Sequence, residues 1–425
     1  MRRFLSSVLI LLIASHLAIG QEVPPDPIVP SAPLEPPSAP TAPLEPPEPL
    51  PPPVLPVPVP QSLPLELLIE TREPELINGR VLEVRQTKRV ALPIASVAVS
   101  RTRQTLSSGL IGAINRLAQE VGQPSRDARF YRRGQTWVAQ QTSAWRVDLP
   151  ATRQAVLVAL QKNQAAAKAV LLSTSPKRTV ADFSRRGIRF YFGGGNSNFA
   201  GSPSYRVANI IAAAKQLDAR YLEPKAIFSF NQSITLSAKA GFVLGNIIRG
   251  KNLVKELGGG ICQVSTTVWR AAYQAGLPIL ERHQHSYRVA YYDPPGYEAT
   301  VFAPSKNLRF RNDTKAALWL QLDWDSTMGN LELNFFGAAP DRQVQISEPR
   351  LSAERPAPKD RFVPDASLKL GDIKIISGAE KGLQSRIDRA VRYNSGRIQR
   401  DTTQSLYVPW AAIYAVHPKD PRAKK

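Results

Sequence analysis

The sequence has little cysteine and little histidine. Of its 425 residues, one is cysteine, Cys262, and four are histidine. A single cysteine excludes a disulfide within the chain, so the core must hold without a covalent cross-link. Acidic residues are also few, at 34 against 55 Lys and Arg, which gives a formal net charge of +21. This excess predicts attraction to polyanions or to anionic surfaces.

The N-terminus has the pattern of a secretory signal peptide. Two arginines at 2–3 precede a mostly apolar run at 4–14, which is too short to span a bilayer comfortably, and small residues flank a cleavage site at 18–20. An uncleaved membrane anchor is the alternative, and only then is the membrane a predicted partner. No cysteine lies at the cleavage point, which argues against a lipoprotein. We predict a secreted or periplasmic protein associated with the cell envelope, whose cationic charge faces anionic wall polymers and not nucleic acid.

Proline is concentrated after the predicted signal peptide at 1–20. Nineteen of the 38 prolines lie between residues 22 and 64, where SAPLEPP at 31 recurs as TAPLEPP at 41. Proline fixes φ and donates no backbone hydrogen bond, so residues 21–64 are predicted to form an extended linker. A proline-rich ligand for a partner module is the alternative.

The rest of the chain predicts a multidomain α+β fold, with mixed antiparallel sheets and packed helices. Residues 65–185 combine short strand patterns with two amphipathic helices, and residues 186–340 alternate helices with strands. Residues 341–362 open polar and proline-rich and are predicted as a linker, whereas 363–417 are predicted as a small β module with glycine turns.

The stretch GGGICQVSTT, residues 258–267, is the strongest chemical signal. Three glycines allow close backbone approach or positive φ, and a helix is predicted to begin near Cys262. A thiol at a helix N-terminus is stabilised as thiolate, and free N–H groups of the first turn can stabilise an oxyanion. The alternative is that Cys262 only fills space in the core, as lone cysteines often do.

Two histidines, His283 and His285, lie about twenty residues after the cysteine. Apart from one in the predicted signal peptide and one in the tail, they are the only histidines, and either is a candidate base for the thiol. The segment ILERHQHSYRVAYY is predicted as a strand, which would place both side chains on one face. An H-x-H metal site is the alternative, with Cys262 or Glu298 as a third ligand.

These stretches together resemble the VanW family. The resemblance runs from about 188 to 338 and rests on FSFNQSITL, GGGICQVSTTVWRAAYQAGLPILERHQHSYRVAYY, PGYEATV and LRFRNDT. Residues 106–185 are similar to a peptidoglycan-binding domain that often precedes VanW domains. Residues 363–417 resemble a short version of the glycine-rich adhesive module often found after them.

The resemblance implies a catalytic role for Cys262, because some members are associated with L,D-transpeptidase activity that uses the motif cysteine as nucleophile. His283 or His285 is then the implied base. The family commonly has Asp before ATV, where this chain has Glu298, whose longer arm keeps the acid that would orient the histidine. Predicted substrate-binding residues near these positions are Gly259, Gly260, Gln263, Ser265, Thr266, Asn231 and Arg249.

The sequence therefore predicts an exported cell-wall protein that performs cysteine-dependent acyl transfer on peptidoglycan stem peptides. No cofactor and no metal are predicted. The alternative is a non-catalytic protein that binds peptidoglycan or wall polymers and is linked to envelope integrity or glycopeptide resistance. A third possibility is polyanion binding by the basic surface alone, with no role for Cys262.

Overall fold

The computed structural model describes residues 63–249 and 252–424. The predicted signal peptide and residues 21–62 of the predicted linker lie outside the described residues. The described residues form seven sheets that are largely antiparallel, with helices packed against them, which confirms the predicted mixed α+β fold. Across residues 63–249 and 252–424, no helix has both the length and the apolarity that a membrane crossing requires.

The region that precedes residue 186 contains a five-stranded sheet and three longer helices. Its elements are β1 (Glu66–Ile77), β2 (Arg80–Ala91), α1 (Ile94–Arg103), α2 (Ser108–Val121), β3 (Arg126–Arg133), β4 (Thr136–Thr142), β5 (Ala144–Val147), α3 (Leu149–Gln161), β6 (Ala166–Lys168), β7 (Leu171–Thr174) and α4 (Val180–Arg185). The sheet order is β2-β1-β4-β3, with β6 parallel to β1, and β5 pairs with β7 separately. Asn78 and Gly79, both with positive φ, form the tight turn between β1 and β2.

The two helices predicted in this region are present. Residues within or next to each helix explain why it forms. In α2, Leu110, Ile114 and Leu117 are buried on one face, as their spacing predicts. In α3, the side chain of Asp148 accepts a hydrogen bond from the N–H of Ala151 at 3.0 Å, and a proline stands in the first turn.

The middle region contains two helices of 14 residues each. Its elements are β8 (Phe190–Asn198), α5 (Ser204–Leu217), β9 (Arg220–Leu222), β10 (Ile227–Ser229), α6 (Phe230–Ser233), β11 (Leu244–Arg249), β12 (Asn252–Leu257), α7 (Ile261–Gln274), β13 (Ile279–Glu281), β14 (Arg309–Arg311), β15 (Leu318–Asp325) and β16 (Asn330–Gly337). The main sheet has the order β8-β16-β15-β9, a smaller sheet has the order β10-β14-β13, and β11 pairs with β12.

Helix α7 lies directly on strand β8. A side chain at Gly195 of β8 would place its Cβ 2.3 Å from the backbone nitrogen of Ala271, so only glycine permits this approach. Nearly all of α7 is buried, including Trp269 and Tyr273. This burial fixes the helix that begins beside Cys262.

The main sheet of the middle region is covered on both faces. Leu318, Leu320 and Leu322 of β15 belong to the apolar core around α5 and α7. Trp319, between them, belongs to a second apolar cluster that includes Phe130 of β3. The two sets alternate with the period of two that a strand imposes.

The region after residue 341 is built from two small sheets. Its elements are β17 (Arg342–Ile346), β18 (Arg350–Arg355), β19 (Arg361–Pro364), β20 (Ile373–Ser377), β21 (Gly382–Tyr393), β22 (Ile398–Tyr407) and β23 (Ile413–Val416). Strand β21 pairs with β17, β18 and β22, and we call these four strands the C-terminal sheet. The range 341–362, predicted as a linker, thus contains two strands that pair with β21.

Candidate functional site

Helix α7 begins directly after the three glycines. Gly260 has φ of +121°, and a Cβ there would lie 2.9 Å from the Cγ of Arg206, so glycine is required at this position. Cys262 is the second residue of the helix. The prediction that a helix begins near Cys262 is confirmed, and the thiol is near the positive end of the helix dipole.

The thiol of Cys262 is half-buried and has polar neighbours. Its sulfur lies 3.3 Å from the hydroxyl of Thr300 and 3.7 Å from the carbonyl oxygen of Val301. The charge and hydrogen bonding of His285 lower the pKa of the thiol, and Cys262 in turn raises the pKa of His285. Of the two candidate histidines, His285 is therefore the one that acts on the thiol.

The imidazole of His285 is held by a buried carboxylate. Nδ1 of His285 hydrogen-bonds Oε2 of Glu298, and the backbone N–H of His285 donates to Oε1 at 3.2 Å. The side chains of His285 and Glu298 are 18% and 3% exposed. The ring of His285 also stacks on Tyr292, with centroids 5.1 Å apart. Cys262, His285 and Glu298 thus bring together a thiol, an imidazole and a buried carboxylate, the three groups that a nucleophile, a base and an orienting acid require.

The pKa values of these three groups favour the charged form of each. Burial raises the pKa of the Cys262 thiol, but His285, Thr300 and Val301 together bring the pKa below its ordinary value. Burial lowers the pKa of His285, yet Glu298 and Cys262 raise it to about 9. Burial raises the pKa of Glu298, but His285, the hydroxyl of Tyr407 and the charge of Arg282 together bring it below the ordinary value. The site therefore favours thiolate, imidazolium and carboxylate together.

His283 has a different environment. Its Nε2 lies 3.0 Å from Oε1 of Glu281, and 36% of its side chain is exposed. The prediction that both histidines share one face of a strand is wrong, because β13 ends at Glu281 and the chain continues through one isolated bridge between His283 and Thr300. Without a regular strand, the two side chains turn toward different glutamates.

Glu298 has partners that the sequence analysis did not identify. The hydroxyl of Tyr407, at the end of β22, donates to Oε1 of Glu298 at 2.8 Å. The guanidinium of Arg282 donates to the backbone oxygen of Glu298 at 2.7 Å. Arg282 stands in the quoted motif region, but Tyr407 lies 109 residues from Glu298 in a stretch without a recognisable motif.

Ser265 and Thr266 connect α7 to the segment that carries Glu298 and Thr300. Both hydroxyls donate to the backbone oxygen of Ala299, at 2.6 and 3.2 Å. The N–H of Ala299 donates back to the hydroxyl of Thr266 at 3.2 Å. Both side chains are fully buried, which argues that they position the site and do not contact a substrate.

The other predicted substrate-binding residues surround the start of α7. Gln263 is fully buried and bonds the guanidinium of Arg206 at 2.7 Å and the backbone oxygen of Asn198 at 3.1 Å. The carbonyl of Gly259 accepts a hydrogen bond from Asn209.

Two further predicted residues complete the set. Asn231 bonds the backbone oxygen of Lys306. Arg249 ends strand β11, and the prediction for its side chain lies outside the described residues.

Backbone N–H groups near the sulfur bear on the predicted oxyanion site. The N–H of Ile261 donates to Gly258 and that of Gln263 donates to Gly260, at 3.0 and 2.9 Å. Both are therefore already bonded, and an oxyanion at this site would depend on the N–H of Cys262 itself.

The described residues also form two cavities, and both lie outside the group of Cys262, His285 and Glu298. One cavity of about 410 Å³ lies on the first sheet and is lined in part by Tyr131 and Trp145, and another of about 200 Å³ lies beside β9 and β10. Neither of these two cavities is lined by Cys262, whose thiol contacts Thr300 and Val301. Among the described residues, no group of three or more His, Cys, Asp or Glu side chains is arranged to hold a metal ion.

Comparisons with known proteins point to one family. Residues 205–335 match the family described as VanW like protein, and this range contains Cys262, His285 and Glu298 but not Tyr407. The chain is 39% identical over 115 residues to the uncharacterized protein YoaR of Bacillus subtilis, a match that covers 27% of this chain and 38% of that protein. It is 27% identical over 135 residues to the vancomycin B-type resistance protein VanW of Enterococcus faecalis, covering 30% of this chain and 48% of that protein.

The chain thus spans less than half the length of each of these relatives. Among solved structures, the IgA1 protease G5 domain is similar at 15% identity, covering 20% of this chain and 100% of that one, with a TM-score of 0.12. A TM-score this low carries no conclusion about fold or function.

Proposed function

We propose that this chain, whose residues 205–335 match the VanW like family, is a cysteine-dependent acyltransferase of the cell envelope. Its proposed substrates are peptidoglycan stem peptides, in a reaction of the L,D-transpeptidase type. The observation that carries the proposal is the arrangement of Cys262, His285 and Glu298, in which a thiol at a helix start meets an imidazole held by a buried carboxylate.

In the first half of the reaction, the thiolate of Cys262 attacks the carbonyl carbon that precedes the terminal D-amino acid of a donor stem. A carbon–sulfur bond forms, and the carbonyl oxygen becomes an oxyanion facing the N–H of Cys262. As the peptide carbon–nitrogen bond breaks, imidazolium His285 donates its proton to the leaving nitrogen. The D-amino acid departs, and a thioester and a neutral imidazole remain.

In the second half, the amine of an acceptor stem attacks the thioester. Neutral His285 takes the proton from this amine, the carbon–sulfur bond breaks, and the thiolate is regenerated beside an imidazolium. The product is a new amide, which cross-links the two stems. Water in place of the amine would give hydrolysis, and Glu298 keeps the imidazole oriented throughout.

The charge of the chain supports a substrate in the envelope. A net charge of +21 favours approach to an anionic polymer, and the N-terminal pattern is that of an exported protein. Peptidoglycan with its attached anionic polymers offers both the peptide carbonyl that a thiolate attacks and the surface charge that a cationic protein binds.

The test is incubation of the purified protein with isolated wall fragments, followed by mass analysis of the released peptides. We expect loss of a D-amino acid and new masses equal to two stems joined by one amide. Cys262→Ala is the matched control and should give neither product. Equal product from wild type and from Cys262→Ala would sink the proposal. Binding without any new product would favour the non-catalytic wall-binding alternative.

A further inference from the structure

We propose that Tyr407 is a positioning residue for the Cys262–His285–Glu298 site, and that the end of strand β22 is a structural part of that site. The inference rests on the proposed function and adds to it a residue outside the family match at 205–335. It assigns to the C-terminal sheet a role in holding the site, beyond that of an attached module.

The hydroxyl of Tyr407 is fixed in direction. It donates to Oε1 of Glu298 at 2.8 Å and accepts a hydrogen bond from the N–H of Gly296 at 2.8 Å. Because the backbone N–H can only donate, the phenolic proton must point to the carboxylate. The side chain is 2% exposed, so water does not compete for these bonds.

The same carboxylate oxygen serves Tyr407 and His285. Oε1 of Glu298 accepts from the Tyr407 hydroxyl and from the backbone N–H of His285, while Oε2 binds the ring. Burial raises the pKa of Glu298, and the hydrogen bond from Tyr407 is one of the interactions that lower it. Tyr407 therefore stabilises the charge that in turn stabilises the imidazolium of His285.

Two further bonds tie the end of β22 to the histidine segment. The hydroxyl of Ser405 accepts from the guanidinium of Arg282 at 2.8 Å, and Arg282 also donates to the backbone oxygen of Glu298. The N–H of Val408 donates to the backbone oxygen of Ser286, the residue after His285, at 2.8 Å. Residues 405–408 thus hold the His285 segment and the Glu298 segment at once.

The C-terminal sheet is itself anchored on α7. The guanidinium of Arg389, 1% exposed, donates to the backbone oxygens of Tyr273 and Leu277 at 3.0 and 3.1 Å. Arg342 donates to the backbone oxygen of Gly276 at 3.1 Å. Both arginines satisfy carbonyl groups at the C-terminal end of α7, where cations are favoured. The helix that presents Cys262 is therefore held at its far end by the sheet that presents Tyr407.

The experiment compares Tyr407→Phe with Tyr393→Phe. Tyr393 is the matched control because its hydroxyl also donates to a carboxylate, that of Asp313 at 3.0 Å, from the same sheet but away from Glu298. The first readout is the rate of iodoacetamide alkylation against pH, which reports only Cys262 because the chain has no other thiol. The second readout is kcat for cross-link formation.

Several charged or titratable groups surround Cys262 and His285 and affect the pH dependence of alkylation. Besides Tyr407, the titratable or charged groups that act on the imidazole of His285 or on Glu298, or that stack on that imidazole, are Cys262, Glu298, Arg270, Arg282 and Tyr292. We expect Tyr407→Phe to move the alkylation midpoint to higher pH and to lower kcat about tenfold, as for the loss of one hydrogen bond to a charged group. Tyr393→Phe should leave both unchanged. An alkylation profile of Tyr407→Phe that overlies that of wild type would overturn the inference.

The readouts separate this inference from the proposed function. Suppose that wild type forms no product but the alkylation midpoint lies at higher pH in Tyr407→Phe than in wild type. The positioning role of Tyr407 then stands, and the proposed transpeptidase reaction fails. If wild type forms product and Tyr407→Phe equals it, the positioning role alone fails. Should Tyr407→Phe not fold, Ser405→Ala takes its place, because it removes the acceptor of Arg282 and should shift the midpoint in the same direction. No shift in Ser405→Ala would then overturn the inference.

Discussion

Glu298 holds His285 at two points, with one carboxylate oxygen on the ring nitrogen Nδ1 and the other 3.2 Å from the backbone N–H. This double attachment fixes both the position and the rotation of the imidazole. Because Nδ1 is bonded to the carboxylate, Nε2 is the nitrogen left to exchange a proton with Cys262. In the proposed reaction, Glu298 would thus determine that Nε2 and not Nδ1 acts as the base.

The two histidines should separate sharply on mutation. We expect His285→Ala to lower kcat toward the level of Cys262→Ala, because a nucleophile and its base act as a unit. His283→Ala is the matched control, since His283 bonds Glu281 and is partly exposed, and it should keep activity within a few-fold of wild type. Cross-link formation measured on both proteins decides this. Greater loss in His283→Ala than in His285→Ala would contradict the assignment of the base.

Glu298→Gln tests the orienting acid with little change of shape. The amide cannot stabilise an imidazolium as a carboxylate does, and it can present a donor where Nδ1–H needs an acceptor. We expect kcat to fall at least about a hundredfold, by analogy with other triads in which the acid becomes an amide. Kinetics and melting temperature should be measured on the same preparation. Loss of activity only in proportion to loss of folded protein would assign Glu298 a purely structural role.

The stability of the protein should depend on pH through His285. Its pKa is raised from the ordinary 6.5 to about 9 in the folded protein, so its contribution to stability is complete below 6.5 and is lost as pH rises through about 9. The Tm difference between wild type and His285→Gln should therefore shrink as pH rises from about 6 to about 10. The lowered pKa of Glu298 acts in the opposite direction, and at about pH 6 that carboxyl is already ionised. A Tm difference that stays constant over this range would argue against a charged His285.

Ser265 and Thr266 should show coupled effects on stability. Both hydroxyls donate to the buried backbone oxygen of Ala299. Each single change, Ser265→Ala or Thr266→Val, leaves that oxygen one partner and should cost about 1–2 kcal/mol of unfolding free energy. The double variant leaves the oxygen without either hydroxyl, so its cost should exceed the sum of the single costs. Denaturant unfolding of the four proteins measures this coupling, and strict additivity would show that the two hydroxyls act independently.

The start of α7 could be predicted from the sequence because its determinants are local. Three glycines, a cysteine and an apolar helix pattern lie within twenty residues, and the structure begins the helix at Ile261. The choice between His283 and His285 could not be predicted in the same way. This choice depends on the residue at which β13 ends. The end of β13 is set by its pairing with β14, about thirty residues later in the sequence.

The role of Tyr407 could not be read from the sequence for a related reason. A tyrosine in an exposed-buried alternating strand has no distinguishing neighbours, and its partner Glu298 is 109 residues away. The strands β17 and β18 also depend on long-range pairing with β21. The polar and proline-rich composition of 341–362 therefore indicated a linker.

The alternating faces of β15 limit how the protein can be divided. Phe130 and Phe336 stack with ring centroids 3.9 Å apart, and the side chain of Gln321 bonds both backbone groups of Phe130. A fragment that starts at residue 186 would leave Trp319 and Phe336 on an aromatic surface open to water, and the amide of Gln321 would lose both of its hydrogen bonds to Phe130. Such a fragment should express poorly or aggregate. A soluble catalytic fragment therefore has to keep the strands that precede residue 186. For crystallisation or assay, only residues on the N-terminal side of β1 should be removed.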